Sequence, residues 1–194
     1  MKLDASTAVI DNDFVGHLIE CKLADETLVD ALRIILSDLG LSVVVHPLVY
    51  DKEVQKEKDR VKLFLREGIF AVASFADILA GDPNREAYYL YLVNELYYSL
   101  MGEPLNVNKD TVYSFWVRKK SLGEVHSVSM CLVCCCGIFL SDDGDSKRLQ
   151  DYIKRMSMGS IEVYNRSELV DRHITEGCTA IPRKTRQSLT HASN

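Results

Sequence analysis

The sequence predicts an α/β protein built on a mostly parallel sheet of about five strands, with helices on both faces. Two observations carry this. Short apolar runs alternate with longer helical patterns along nearly the whole chain. Several of those runs are brief and continuously apolar, Ser42-Val43-Val44-Val45-His46 above all, as expected of a strand buried on both faces. The 194 residues suit one domain. With 47% hydrophobic and 26% charged residues, the composition is that of an ordinary globular protein.

The elements follow in order. Residues 2–4 read as a first short strand ending on a carboxylate. Residues 13–39 read as helix, with Phe14, Leu18, Leu28, Ala31, Leu32 and Ile35 at spacings of three and four. Asp25 and Thr27 are caps where that helix divides, and Gly40 stops it. Residues 42–46 form the second strand, and Pro47 opens a helix, where its missing N–H costs little. Residues 53–67 are charged and amphipathic, and residues 69–72 form a third strand. Residues 76–79, 85–101 and 111–120 read as helices, the second carrying Tyr88, Tyr89, Tyr91, Tyr97 and Tyr98. Residues 124–136 form a further helix, 138–140 a strand, 146–156 a helix, 161–164 a last strand and 167–173 a last helix. Residues 1–182 form one domain, with a helical elaboration around 57–120, and residues 183–194 form a loose basic tail.

A net charge of −5 argues against a broad polyanion-binding surface, though not against a local basic patch. Four of the six cysteines, Cys131, Cys134, Cys135 and Cys136, crowd into an apolar run, a poor framework for disulfides. The spacing Cys131-Leu132-Val133-Cys134 reads as helix packing rather than a zinc or redox site. The chain opens without an apolar leader, and its longest near-apolar run, 128–140, is shorter than the ~20 residues that span a bilayer. The expectation is a cytoplasmic protein without membrane association. Glycine-rich dinucleotide and P-loop patterns, HExxH and GxSxG are absent.

The informative feature is the placement of carboxylates. Asp4 ends the first predicted strand. Asp51 and Glu53 follow the second. Glu124 opens the helix that feeds the strand 138–140, and Asp142, Asp143 and Asp145 fill the loop after it. Each acid alone has an ordinary reading as a turn residue, helix cap or solvated charge. Together, at the strand ends of a parallel sheet, they would repel one another, and a hard divalent cation such as Mg²⁺ or Mn²⁺ removes the conflict.

Taken in order, Leu3-Asp4-Ala5-Ser6, Gly123-Glu124-Val125-His126-Ser127 and Ile138-Phe139-Leu140-Ser141-Asp142-Asp143-Gly144-Asp145 resemble the PIN-domain nucleases. Ile161-Glu162-Val163-Tyr164 and Glu168-Leu169 look like that family's closing strand and helix. The resemblance covers both ends of the chain and leaves the middle, from about residue 57 to residue 120, as an elaboration. It implies a PIN-like three-layer α/β/α fold and Mg²⁺- or Mn²⁺-dependent hydrolysis of phosphodiester bonds, most often in RNA. Asp4, Glu53, Glu124 and Asp143 match the catalytic acids, with Asp51 the alternative to Glu53. Asp4, Glu124, Asp143 and Asp145 would hold the metal. Ser6, Ser141 and Asp142, with Asp51, would support them.

A nuclease also needs cations for its substrate. Lys119 and Lys120 precede the Glu124 helix, Lys147 and Arg148 follow the aspartate loop, and His126 lies two residues from Glu124. These are the expected contacts to RNA, or to single-stranded DNA. The rival reading is a catalytically silent PIN-like module held by a protein inhibitor or by a second copy of the chain. A structure-specific DNA nuclease is a third.

Overall fold

The computed structural model describes residues 1–54, 58–111, 120–177 and 180–190. Five strands, β1 (Thr7–Ile10), β2 (Ser42–Val45), β3 (Ala71–Val72), β4 (Ile138–Leu140) and β5 (Glu162–Tyr164), form one sheet in the order β3-β2-β1-β4-β5. Every pairing is parallel, with Ile10 level with Val45 and Leu140, and Leu140 level with Tyr164. The chain runs outward from β1 through β2 and β3. It then returns to the other side of β1 to lay down β4 and β5. The order therefore reverses between β1 and β4, and parallel sheets place ligands at the carboxyl ends of strands flanking such a reversal.

Ten helices are described: α1 (Asn12–Glu20), α2 (Asp25–Asp38), α3 (Pro47–Lys52), α4 (Asp59–Arg66), α5 (Phe75–Leu79), α6 (Pro83–Met101), α7 (Leu122–Cys134), α8 (Gly144–Arg155), α9 (Arg166–Thr175) and α10 (Arg183–Thr190). They cover both faces because strand side chains alternate. Ala8, Ile10, Val43 and Val45 pack with α1, α2, α4 and α9. Val9, Val44, Phe139 and Val163 pack with α5, α6, α7 and α8. This is a three-layer α/β/α arrangement. Among the described residues no helix is long and apolar enough to cross a membrane.

Two expectations change. The first strand is Thr7–Ile10 rather than residues 2–4, because Thr-Ala-Val-Ile is the continuous apolar run and all four residues are buried. Asp4 instead makes the turn before it, its carbonyl accepting from the Thr7 N–H at 2.9 Å. The C-terminal segment is helical over Arg183–Thr190, with Thr185 and Leu189 buried. Arg166 fastens it by donating to the Leu189 carbonyl at 3.3 Å. The helix expected over 111–120 lies almost wholly outside the described residues.

Of the cysteines, Cys131, Cys134 and Cys136 are buried, while Cys135 is exposed where α7 ends. The tyrosines of α6 divide in the same way. Tyr89 and Tyr97 are core residues, and Tyr88, Tyr91 and Tyr98 face outward.

Candidate metal centre

The carboxyl edge of the sheet carries Asp11 after β1, His46 after β2 and Ser141 after β4. Asp11 caps α1: its Oδ1 accepts from the Phe14 N–H at 2.9 Å. Its Oδ2 is buried and has no hydrogen-bond partner among the described residues. Burial pushes the Asp11 carboxyl well above the usual range. The neighbouring charges of Glu124 and Asp13 add to the rise, and the Ser141 hydroxyl and Phe14 N–H oppose it.

Helix α1 begins at once after β1, so its first turn sets Asp13 at the same edge. Asp13, Glu124 and Asp143 each offer a carboxylate oxygen, and the three oxygens lie within 4.8 Å of one another. Asp143 is held as the N-cap of α8, its Oδ1 accepting from the Asp145 N–H at 2.7 Å. The Ser141 hydroxyl accepts from the Asp143 N–H at 3.1 Å and from the Ser146 hydroxyl at 2.7 Å, which fixes the loop. Glu124 lies in the first turn of α7.

Glu53, at the C-terminal end of α3, completes the group. Burial pushes its carboxyl up to about 7, with added repulsion from Glu124 and Asp13. Glu124 is likewise raised to about 7, mainly by burial and then by Asp143, Asp13 and Asp145. Asp13 is raised by partial burial and by Asp143. Among the described residues no lysine or arginine forms an ion pair with Asp11, Asp13, Glu53, Glu124 or Asp143.

The other predicted residues go elsewhere. Asp4 and Ser6 sit at the amino edge, opposite Asp143, because they precede β1 while Asp143 follows β4 in a parallel pair. There Asp4 accepts from the Ser6 hydroxyl at 2.7 Å, which with Lys2 holds its carboxyl down to about 2. Asp142 is an ion-pair hub, meeting Arg166 Nε at 2.7 Å and His17 Nδ1 at 2.8 Å. Asp145 is pushed up by burial. It is nonetheless held below the usual range by the Ser121 hydroxyl, Arg148 and Lys120. Asp51 is exposed on α3. Lys147 is tied to the Val163 carbonyl and to Glu168 at 2.9 Å. Lys120 and Arg148 reach Asp145 at 3.2 and 2.8 Å. Lys119 lies outside the described residues.

His126, expected at the substrate, is wholly buried, because α7 is packed on nearly every side. Its Nδ1 lies 2.7 Å from the Tyr89 hydroxyl, and His46 Nε2 lies 2.8 Å from the same oxygen. Donor and acceptor counting orders this chain. His46 Nδ1 accepts from the Leu48 N–H at 3.2 Å, so in the neutral ring Nε2 carries the proton and donates to Tyr89. Tyr89 then donates to His126 Nδ1. Burial keeps both rings neutral, holding His126 down to about 3 and His46 well below the usual range. The chain joins the start of α3, which ends at Glu53, to α7 two residues from Glu124.

The residues with the strongest claim that the sequence reading overlooked are Asp11 and Asp13. Their signal was available: Asp11 directly ends the run Thr7-Ala8-Val9-Ile10. No family model, no curated protein and no solved structure matches the chain.

The donor set suits a hard divalent cation. The Asp13, Glu124 and Asp143 donors are all oxygen, the ligand type that such cations take.

Proposed function

We propose that the protein is a PIN-like nuclease that hydrolyses phosphodiester bonds, with RNA as the first substrate to test. The observation that carries the reading is the gathering of Asp11, Asp13, Glu53, Glu124 and Asp143 at the reversal between β1 and β4, with no lysine or arginine counter-ion among the described residues. The carboxylates come from the β1–α1 junction (Asp11, Asp13), the end of α3 (Glu53) and the starts of α7 and α8 (Glu124, Asp143). Crowded carboxylates repel one another, and a bound cation would remove that conflict. The order of acids along the chain still resembles the family, with Asp11 taking the place first assigned to Asp4.

Asp13, Glu124 and Asp143 would hold Mg²⁺ or Mn²⁺, with Asp11 buried close to Glu124 and Asp13. The ion would supply a water activated near neutral pH and a counter-charge for the phosphate. The chain's own part is positional. Asp143 is fixed by the α8 cap, and Glu53 stands beside Glu124 and Asp13. Lys120 and Arg148, already paired with Asp145, flank the carboxylates with positive charge for a phosphate.

The test is cleavage of labelled RNA and single-stranded DNA with Mg²⁺ or Mn²⁺, with Asp143→Asn as control. Metal-dependent cleavage by the wild type and not by the variant is the expected result. Mn²⁺ binding without cleavage of either polymer would instead support a silent module.

A further inference from the structure

Most of the large exposed apolar side chains among the described residues lie on α6 or just past the end of α8. Tyr88, Tyr91, Tyr98 and Met101 project from α6, and Met156 follows the end of α8. Tyr91 and Tyr98 are 52% and 54% exposed. Beside them, a groove of about 440 Å³ runs between the C-terminal end of α6 and α8. Its charged lining is Arg148, Lys154 and Arg155 against the single acid Asp151, in a chain whose net charge is −5. The Tyr152 ring forms part of the wall. The Arg155 guanidinium lies 6.0 Å from that ring's centroid, and the Tyr152 hydroxyl donates to Glu95 of α6.

We propose that this groove binds a single-stranded segment of nucleic acid. Its phosphates would lie on Lys154 and Arg155, and its bases would stack on Tyr91 and Tyr98. Stacking on aromatic faces combined with backbone cations is what a sequence-tolerant single-strand site requires. Charge complementarity selects this occupant. Arg148 is paired with Asp145, so Lys154 and Arg155 are the lining cations left for a phosphate among the described residues; a purely apolar partner surface would gain nothing from them, and a polyphosphate backbone would. The groove also adjoins Asp145 through Arg148. Arg148 lines it while bonding Asp145 at 2.8 Å, and Asp145 is close enough to raise Glu124. The 12 residues of α8 make a track of roughly 18 Å. Only the direction of the strand, toward the carboxylates, rests on the nuclease reading.

The experiment measures fluorescence anisotropy of labelled oligouridylate and oligothymidylate with the full chain in chelator, where no cleavage competes. The wild type should bind at least one of them. Tyr91→Ala and Tyr98→Ala should each weaken binding roughly tenfold and leave its salt dependence unchanged. Lys154→Gln and Arg155→Gln should each lower the slope of log affinity against log salt by about 0.7. All four positions are exposed, and unchanged thermal melts of the variants verify that folding is intact. Failure of both oligomers to bind at low salt overturns the proposal and points to a protein partner instead. Variants that bind as the wild type does overturn it too. Intact, groove-dependent binding without cleavage leaves the groove standing and removes the nuclease reading. Cleavage that ignores the four variants does the reverse.

Discussion

The Glu53 carboxylate fills the space in front of Gly123: a Cβ built on that glycine would lie 2.6 Å from Oε2 and 3.0 Å from Oε1. Gly123 sits in the first turn of α7, immediately before Glu124, and its φ is not in the left-handed region. The missing side chain is therefore explained by the approach of Glu53 and not by backbone conformation.

Gly123→Ala separates stability from site geometry. Alanine favours helix over glycine by about 1 kcal/mol, and the flexible end of Glu53 can swing aside. The variant should melt at or above the wild-type temperature in chelator, while its stabilisation by Mn²⁺ and any cleavage fall. A full Mn²⁺ response in the variant would show that Glu53 stands outside the metal centre.

Stability of the metal-free protein should fall as pH rises. Glu53 and Glu124, with carboxyls raised to about 7 mainly by burial, titrate near 4.3 in the unfolded chain. Between those values the native state binds more protons. Their stabilising effect is thus complete below about pH 4 and lost as pH passes about 7. Allowing for partial solvent access, the expected loss is roughly 2 kcal/mol between about pH 5 and about pH 8. Glu53→Gln should flatten the curve by about half. Denaturant titrations in chelator across that range measure it, and a flat wild-type profile would contradict the crowding.

Asp143→Asn should stabilise the metal-free protein at neutral pH by about 1 kcal/mol. Asparagine caps a helix as well as aspartate does, so the α8 cap survives. The charge that raises Asp13 and Glu124 disappears. Added Mn²⁺ should reverse the order, because the wild type gains more binding energy. Asp4→Asn, at the opposite edge of the sheet, should leave both the Mn²⁺ response and cleavage unchanged. Thermal melts with chelator and with Mn²⁺ compare all three proteins.

Tyr89→Phe removes the hydroxyl that links His46 and His126. Leaving two buried ring nitrogens without that partner should cost about 2–4 kcal/mol. Equilibrium denaturation of the variant measures this. A cost below about 0.5 kcal/mol would mean that the proton chain does not hold α3, α6 and α7 together.

The sequence by itself determined the architecture. Continuous apolar runs such as Val43-Val44-Val45 and Ile138-Phe139-Leu140, alternating with amphipathic segments, can bury both faces only in a sheet covered by helices on each side. It also marked Glu124 and Asp143, since both lie in sharp local contexts at helix starts. Tertiary structure alone decided which carboxylates meet. Moving the first strand from residues 2–4 to Thr7–Ile10 carries Asp4 to the amino edge and brings Asp11 and Asp13 to the carboxyl edge. An aspartate closes both segments, but Thr7–Ile10 is the continuous apolar run. Pairing fixed it, with Ile10 level with Val45 and Leu140. The same holds for His46, Tyr89 and His126, brought together across separations of 43 and 37 residues, and for the polar helix Arg183–Thr190, which buries Thr185 and Leu189 against α2 and α9. Periodicity records which way a side chain faces along its own element. What it faces is set by packing between elements far apart in the chain.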